Sequence, residues 1–265
     1  MVVPPIFAHL DDDLNASRVK GCALLQKLLK ITPTILLTKT GLGEVFEQAL
    51  LPNLIHIPPA FEQAEALSLL DATYPALLLL VQVRFPATDR YIESRQKSLD
   101  RIVRQGILSG LSSLKDEVAV NRLLLCQVDP FLDELGILSV KHLKTMLPLV
   151  SARLTSPFST AAPGLMKDAA SAMRAILLNC WPRIPGWRLE IVEALTVPYI
   201  RILEEQSPTE ELQAVQALLI EDITTLRDVL ARCDEEEAYP QVKRILESDE
   251  RVSKLLDIWV EHTKV

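Results

Sequence analysis

Pro4-Pro5-Ile6-Phe7-Ala8-His9-Leu10-Asp11-Asp12-Asp13, followed by Arg18-Val19-Lys20-Gly21-Cys22-Ala23-Leu24-Leu25, is the stretch that decides the fold. Prolines at the head of an apolar segment suit the first turn of a helix, where a missing N–H leaves nothing unpaired. The acidic triplet then breaks the segment, and Val-Lys-x-x-Ala opens a second apolar helix. Two such helices form a hairpin that cannot cover its own apolar face and must stack on a neighbour.

The rest of the chain repeats this grammar. A second hairpin is expected from about Gly43 to Ile55 and from about Glu62 to Val83, joined by Ile57-Pro58-Pro59. Phe85-Pro86-Ala87-Thr88-Asp89 is a break, with Asp89 a suitable N-cap. A helix begins near Glu117, restarts at Asp129-Pro130 and ends at Gly136; Ser139 is expected to cap the next. Thr155 to Gly164 is the longest candidate loop. Helices of about Leu165 to Asn179 and Leu189 to Glu205 flank the compact turn Trp181 to Trp187. Ser207-Pro208-Thr209-Glu210 reads as a capping box with Pro at the first helical position. Acidic Asp234 to Glu237 marks a last turn before two short helices. No sustained period-two alternation predicts a strand. About six hairpins of roughly 40–47 residues account for the length. The expected fold is therefore all-α: a HEAT-like or armadillo-type α-solenoid of stacked antiparallel helix pairs. It forms one domain over residues 1–265, with possible sub-arrays 1–154 and 163–265 split by the 155–164 loop.

Composition agrees. At 265 residues and 49% apolar, with aromatics only 5% and Gly only 8, the chain has a helix-forming core rather than that of a β-sandwich. A net charge of -7 disfavours direct binding to nucleic acid and favours solubility. Cys22, Cys126, Cys180 and Cys233 are far apart, so reduced thiols and an intracellular protein are expected. The start has no basic segment or cleavage site typical of a secretory signal. The longest apolar run, Ala76 to Val81, falls short of the roughly 20 residues of a membrane span. No membrane partner is expected.

Chemistry is sparse. Asp11-x-Asp13-x-Asn15 imitates a calcium loop, but Ala16 replaces the required Gly and Cys22 the required Glu, which favours a turn and cap. Gly41-x-Gly43 lacks the third glycine of a dinucleotide site. His9, His56, His142 and His262 have no second ligand at helical spacing and read as turn or surface residues. No catalytic, metal or cofactor-binding residue is expected, and the chain is read as a non-enzyme. Gly106-x-x-x-Gly110 reads as close helix packing in a soluble protein.

Two features stand out as partner-binding candidates. At 100° per residue, Ile92, Leu99, Ile102, Val103 and Gly106 share one side of a helix, and Arg90, Lys97, Arg101 and Arg104 the other. The basic side is either a solvated face or a dock for an acidic partner segment. The second is Cys180-Trp181-Pro182-Arg183-Ile184-Pro185-Gly186-Trp187-Arg188. Trp181, Arg183, Trp187 and Arg188 are the residue types that anchor interfaces. The alternative is that the two rings plug the seam between adjacent hairpins.

Val2-Val3-Pro4-Pro5-Ile6 with Leu10-Asp11-Asp12, Arg18-Val19-Lys20-Gly21, Gly41-Leu42-Gly43-Glu44-Val45-Phe46-Glu47-Gln48-Ala49-Leu50, Tyr74-Pro75-Ala76-Leu77-Leu78 and Asn179-Cys180-Trp181-Pro182-Arg183-Ile184 together resemble the second Tel-two-interacting protein family. That family is the smallest subunit of the Triple T (TTT) complex. The resemblance covers roughly residues 1 to 190 and implies a non-enzymatic co-chaperone adaptor without cofactors. Its implied partners are the two other TTT subunits, both large helical-repeat proteins. It also implies indirect association with the ninety-kilodalton heat-shock chaperone machinery and the phosphatidylinositol-3-kinase-related kinases that the complex stabilises. Those kinases serve growth, telomere and DNA-damage signalling, and the expected location is cytoplasmic and nuclear. Members of the family carry more helical sequence before Val-Val-Pro-Pro, so the chain is expected to be a C-terminal portion or a truncated form. The competing class is a HEAT-repeat transport or trafficking adaptor that binds peptide cargo in a groove.

Overall fold

The computed structural model describes residues 3–114, 116–233 and 238–260, apart from the side chains of Asp89 and Ala238. The described residues contain helices and no strand, so the all-α expectation is met. The chain forms two compact units, Met1–Gln127 and Val128–Val265. The division falls inside one continuous helix, and the 155–164 segment lies within the second unit. The Asp89 cap, the Asp234 to Glu237 turn and His262 lie outside what is described.

In the first unit the opening hairpin is α1 (Val3–Leu10) and α2 (Asn15–Leu29). The acidic segment between them is a turn and not a cap: Asp12 Oδ1 accepts from the Leu14 N–H at 3.0 Å and Arg18 Nε donates to the Asp12 carbonyl at 2.6 Å, while Leu14 holds the N-cap position of α2 with no side-chain cap. The Leu14 amide, with Ser17, holds the Asp12 carboxyl below its usual range. The two helices cross at Gly21, where a Cβ would lie 3.0 Å from the Leu10 backbone nitrogen and 3.1 Å from the His9 carbonyl carbon. The short α3 (Thr34–Thr40), absent from the sequence reading, and α4 (Leu42–Leu50) meet at Gly41, whose φ of 70° suits a residue without Cβ. A 3-10 turn over Leu51–Ile55 then leads to α5 (Gln63–Arg84).

α5 is the strut of the unit. Leu69, Leu70, Tyr74, Leu77, Leu80 and Val81 are buried, with Ala76, over an arc wider than the roughly 100° stripe of a helix facing one neighbour. It packs against α2, α3 and α4 and against α6 (Ile92–Ile102). By length and composition α5 is long and apolar enough to cross a membrane, although its longest uninterrupted apolar run is the short Ala76 to Val81. Half of its most apolar window is buried inside the protein, as in a core helix. A π-turn over Val103–Leu108 connects α6 to α7 (Ser109–Ser113), and α8 (Val118–Leu135) follows. The Gly106 and Gly110 pair is close packing: added Cβ atoms would lie 2.7 Å from the Tyr74 hydroxyl and 2.6 Å from Leu124 Cδ1.

α8 runs through Pro130 without restarting, and Gly136 at φ 52° ends it. Ser139 is not a cap. It sits buried in a 3-10 turn over Gly136–His142, 3.2 Å from Cys180 Sγ, and α9 (Leu143–Leu154) begins after it. His142, expected in a turn or at the surface, closes that turn and is buried. α10 (Pro163–Asn179) and α11 (Arg188–Glu204) flank the Trp turn. α12 (Glu210–Arg232) is capped by Thr209, whose hydroxyl accepts from the Leu212 N–H, so Ser207 and Pro208 precede the cap. α13 (Ala238–Glu247) and α14 (Ser253–Val260) finish the unit. α10 packs between α9 and α12.

Each unit also seals one thiol. Cys22 Sγ lies 3.7 Å from Thr73 Oγ1 in the first, and Cys180 meets Ser139 in the second; burial pushes both thiols up. The seam between α10 and α12 holds Asp222, fully buried, with Oδ1 accepting from Arg174 Nε at 2.8 Å and Oδ2 without a partner. Burial outweighs the Arg174 charge and pushes the Asp222 carboxyl up to about 7.

Two outcomes follow. In Gly21→Ala the helix propensity gained, about 1 kcal/mol, offsets only part of the ~1–3 kcal/mol of overpacking against backbone. Urea unfolding should therefore show a net loss of up to about 2 kcal/mol. Asp222 binds a proton more tightly folded than unfolded, so its contribution is fully present below its unfolded pKa of 3.8 and lost as pH rises through about 7. Urea midpoints should fall between pH 5 and pH 8, and Asp222→Asn should flatten that slope.

Candidate partner-binding faces

On α4 the buried face carries Gly43, Phe46, Glu47 and Leu50, so a carboxylate stands in an apolar row. A buried charge must be matched, and three side chains converge on it. Arg84 Nη1 at the end of α5 reaches Glu47 Oε2 at 2.7 Å. Ser98 Oγ on α6 donates to Glu47 Oε1 at 2.8 Å, and Arg101 Nη1 approaches the same oxygen at 3.6 Å. Gly43 makes room, because a Cβ there would lie 2.8 Å from Arg84 Cδ. These groups, with Glu44 and Lys97, border an open cavity of about 160 Å³.

The cavity determines where the predicted basic face lies. Lys97 and Arg101, one turn apart on α6, both border it. Arg90 instead belongs to a 3-10 turn and stacks over the Tyr91 ring at 5.4 Å. Arg104 lies in the π-turn, where the helical phase changes, and Nε donates to the Asp100 carbonyl. On the opposite side Leu99, Ile102, Val103 and Gly106 are buried as expected; Ile92, first in the helix, is 46% exposed. Arg101 is only loosely held by Glu47, and Lys97 has no ion pair or hydrogen bond among the described residues. The face thus presents Lys97, unpaired among the described residues, beside the loosely paired Arg101.

The 3-10 turn Trp181–Trp187 buries Ile184 and Pro185 and separates its four candidate residues. Trp181 is 44% exposed, and its carbonyl accepts from Cys233 Sγ at 3.6 Å. Arg183 is exposed. Arg188 is committed inside the unit: Nε donates to Gln241 Oε1 at 2.9 Å and Nη1 to the Pro185 carbonyl. Trp187 is half-buried, and its ring lines one wall of an open groove of about 310 Å³ between α9 and α11.

Glu47 enters the sequence reading only within the segment that carries the family resemblance, with no role given to it; Arg84, Ser98, and Glu190, Glu193 and Ser151 beside Trp187 do not enter it. For Glu47 a signal existed. It lies four residues after Gly43 and three before Leu50, the spacing of one helix face. Glu190 and Glu193 share a face of α11 by the same rule, but two exposed acids carry no mark of the groove beneath them.

Removing Glu47 strands Arg84, so Glu47→Ala should lower the unfolding free energy by about 3 kcal/mol or more. Arg101→Ala, at a longer contact and 40% exposed, should change it by less than about 1 kcal/mol. Equal losses in urea titrations would remove the ranking.

Comparison with known proteins adds two findings. A family model described as the Tti2 family matches residues 1–161. A curated relative, TEL2-interacting protein 2 of Saccharomyces cerevisiae, is 25% identical over 226 residues, covering 80% of this chain and 53% of the relative. The chain thus spans about half the length of that relative. No solved structure matches.

Proposed function

This chain belongs to the Tti2 family, and on that premise we propose that it is a non-enzymatic adaptor subunit of the TTT co-chaperone complex. The carrying observation is the extent of the family match: residues 1–161 include the whole first unit and its Lys97–Arg101 face. The relative's name describes a protein that interacts with TEL2, and we carry that partnership to this chain. In this reading the helices are stacked antiparallel pairs of HEAT-like type. They dock against the two larger helical-repeat subunits in cytoplasm and nucleus. Through them the chain serves the ninety-kilodalton heat-shock chaperone machinery in maturing phosphatidylinositol-3-kinase-related kinases. An acidic segment of a partner subunit meets Lys97 and the loosely paired Arg101 of α6, which would supply on-rate and register.

Quantitative mass spectrometry of proteins recovered with the tagged chain should find two large repeat proteins in stoichiometric amounts. Recovery of a transport GTPase with cargo peptides in their place would overturn the proposal. Lys97→Glu alone, at a side chain without an internal partner, should reduce that recovery with helical circular dichroism unchanged. The pair Lys97→Glu and Arg101→Glu should reduce it further. Recovery unchanged in the pair would remove the basic face from the interface.

A further inference from the structure

We infer that the groove between α9 and α11 receives an arginine side chain from a partner segment. Its floor is apolar: Leu147, Pro148 and Ala152 come from α9 and Ala194 from α11. Trp187 forms the wall that a planar cation can stack on. Glu190 and Glu193 stand on the rim, both exposed and neither in an ion pair among the described residues. The Ser151 hydroxyl, also lining the groove, is buried without a hydrogen-bond partner. A volume of about 310 Å³ sits at the small end of ligand pockets, which run from about 300 to 1,000 Å³. That suits one long side chain rather than a helix.

Charge selects the occupant. Two unpaired carboxylates over an apolar floor repel an acidic segment and favour a basic one. The neighbouring arginines keep their charge but turn away from the two glutamates, and neither pairs with them. Arg188 is bound to Gln241 and to the Pro185 carbonyl, and Arg201 to the carbonyls of Thr155 and Ser156. Among cations, arginine fits better than lysine. Its aliphatic stem covers Pro148 and Ala152, its plane lies against Trp187, and its several N–H donors can serve the two carboxylates at once. This surface belongs to the second unit and does not depend on the α6 cations or on the identity of the larger subunits.

The test uses the full chain and two small probes, N-acetyl-leucyl-arginine amide and its citrulline counterpart, which has nearly the same shape without the charge. The Trp187 indole signal in two-dimensional NMR should move saturably with the arginine probe and bind citrulline about fivefold more weakly, the scale of exposed charge pairs. Glu190→Gln combined with Glu193→Gln should remove that preference, and the Trp259 indole position reports that the unit is still folded. A Trp187 signal that ignores the arginine probe, or moves equally with both probes, overturns the assignment. So does a preference that survives the two Gln substitutions.

Discussion

A helix that is apolar on more than one side has to be covered from more than one side, and this requirement organises both units. α10 is the clearer case. Met166, Ala170, Met173 and Leu177 lie on one flank and Ala172, Ala175 and Ile176 on the other, all buried. Alanines let a neighbour approach closely, while methionines fill the irregular space opposite. α9 and α12 take these two flanks. α5 plays the same part in the first unit, and the glycines mark where its surroundings press nearest. Gly106 admits the Tyr74 hydroxyl and Gly43 admits the Arg84 stem, so the layers are set by missing side chains as much as by present ones.

Helix identity was largely legible because its determinants are local. Gly136 at positive φ ends α8 where a C-terminal glycine should, and the opening hairpin lies where Pro4, Pro5 and the acidic triplet put it. The misreadings have specific causes. Pro130 was expected to break a helix; in the fold α8 continues across the lost N–H. Ser207 and Thr209 both satisfy a cap pattern, and only backbone conformation shows that Thr209 is used. The π-turn at Val103–Leu108 interrupts the uniform 100° spacing on which the basic stripe was read, and Arg104 lies within it.

The two surfaces differ in why they were visible or hidden. Cations clustered in sequence, as in α6, announce themselves; what the sequence does not show is which are already engaged. Glu47 draws Arg84 fully and Arg101 loosely, and Lys97 has no partner among the described residues. The groove beside Trp187 was half visible. The ring was singled out, but its floor comes from α9, some forty residues earlier in the chain. Long-range juxtaposition of small apolar residues leaves no periodic trace beyond that of an ordinary core face.

The sealed thiols have a consequence of a different kind. Cys22 and Cys180 lie in separate units, each wholly enclosed and each with its thiolate disfavoured by its surroundings. A thiol in that state reacts with an alkylating reagent only when its unit opens. With Cys126 and Cys233 replaced by serine, the two remaining modification rates become separate clocks, one for each half of the molecule. They would report whether the halves come apart together or in succession.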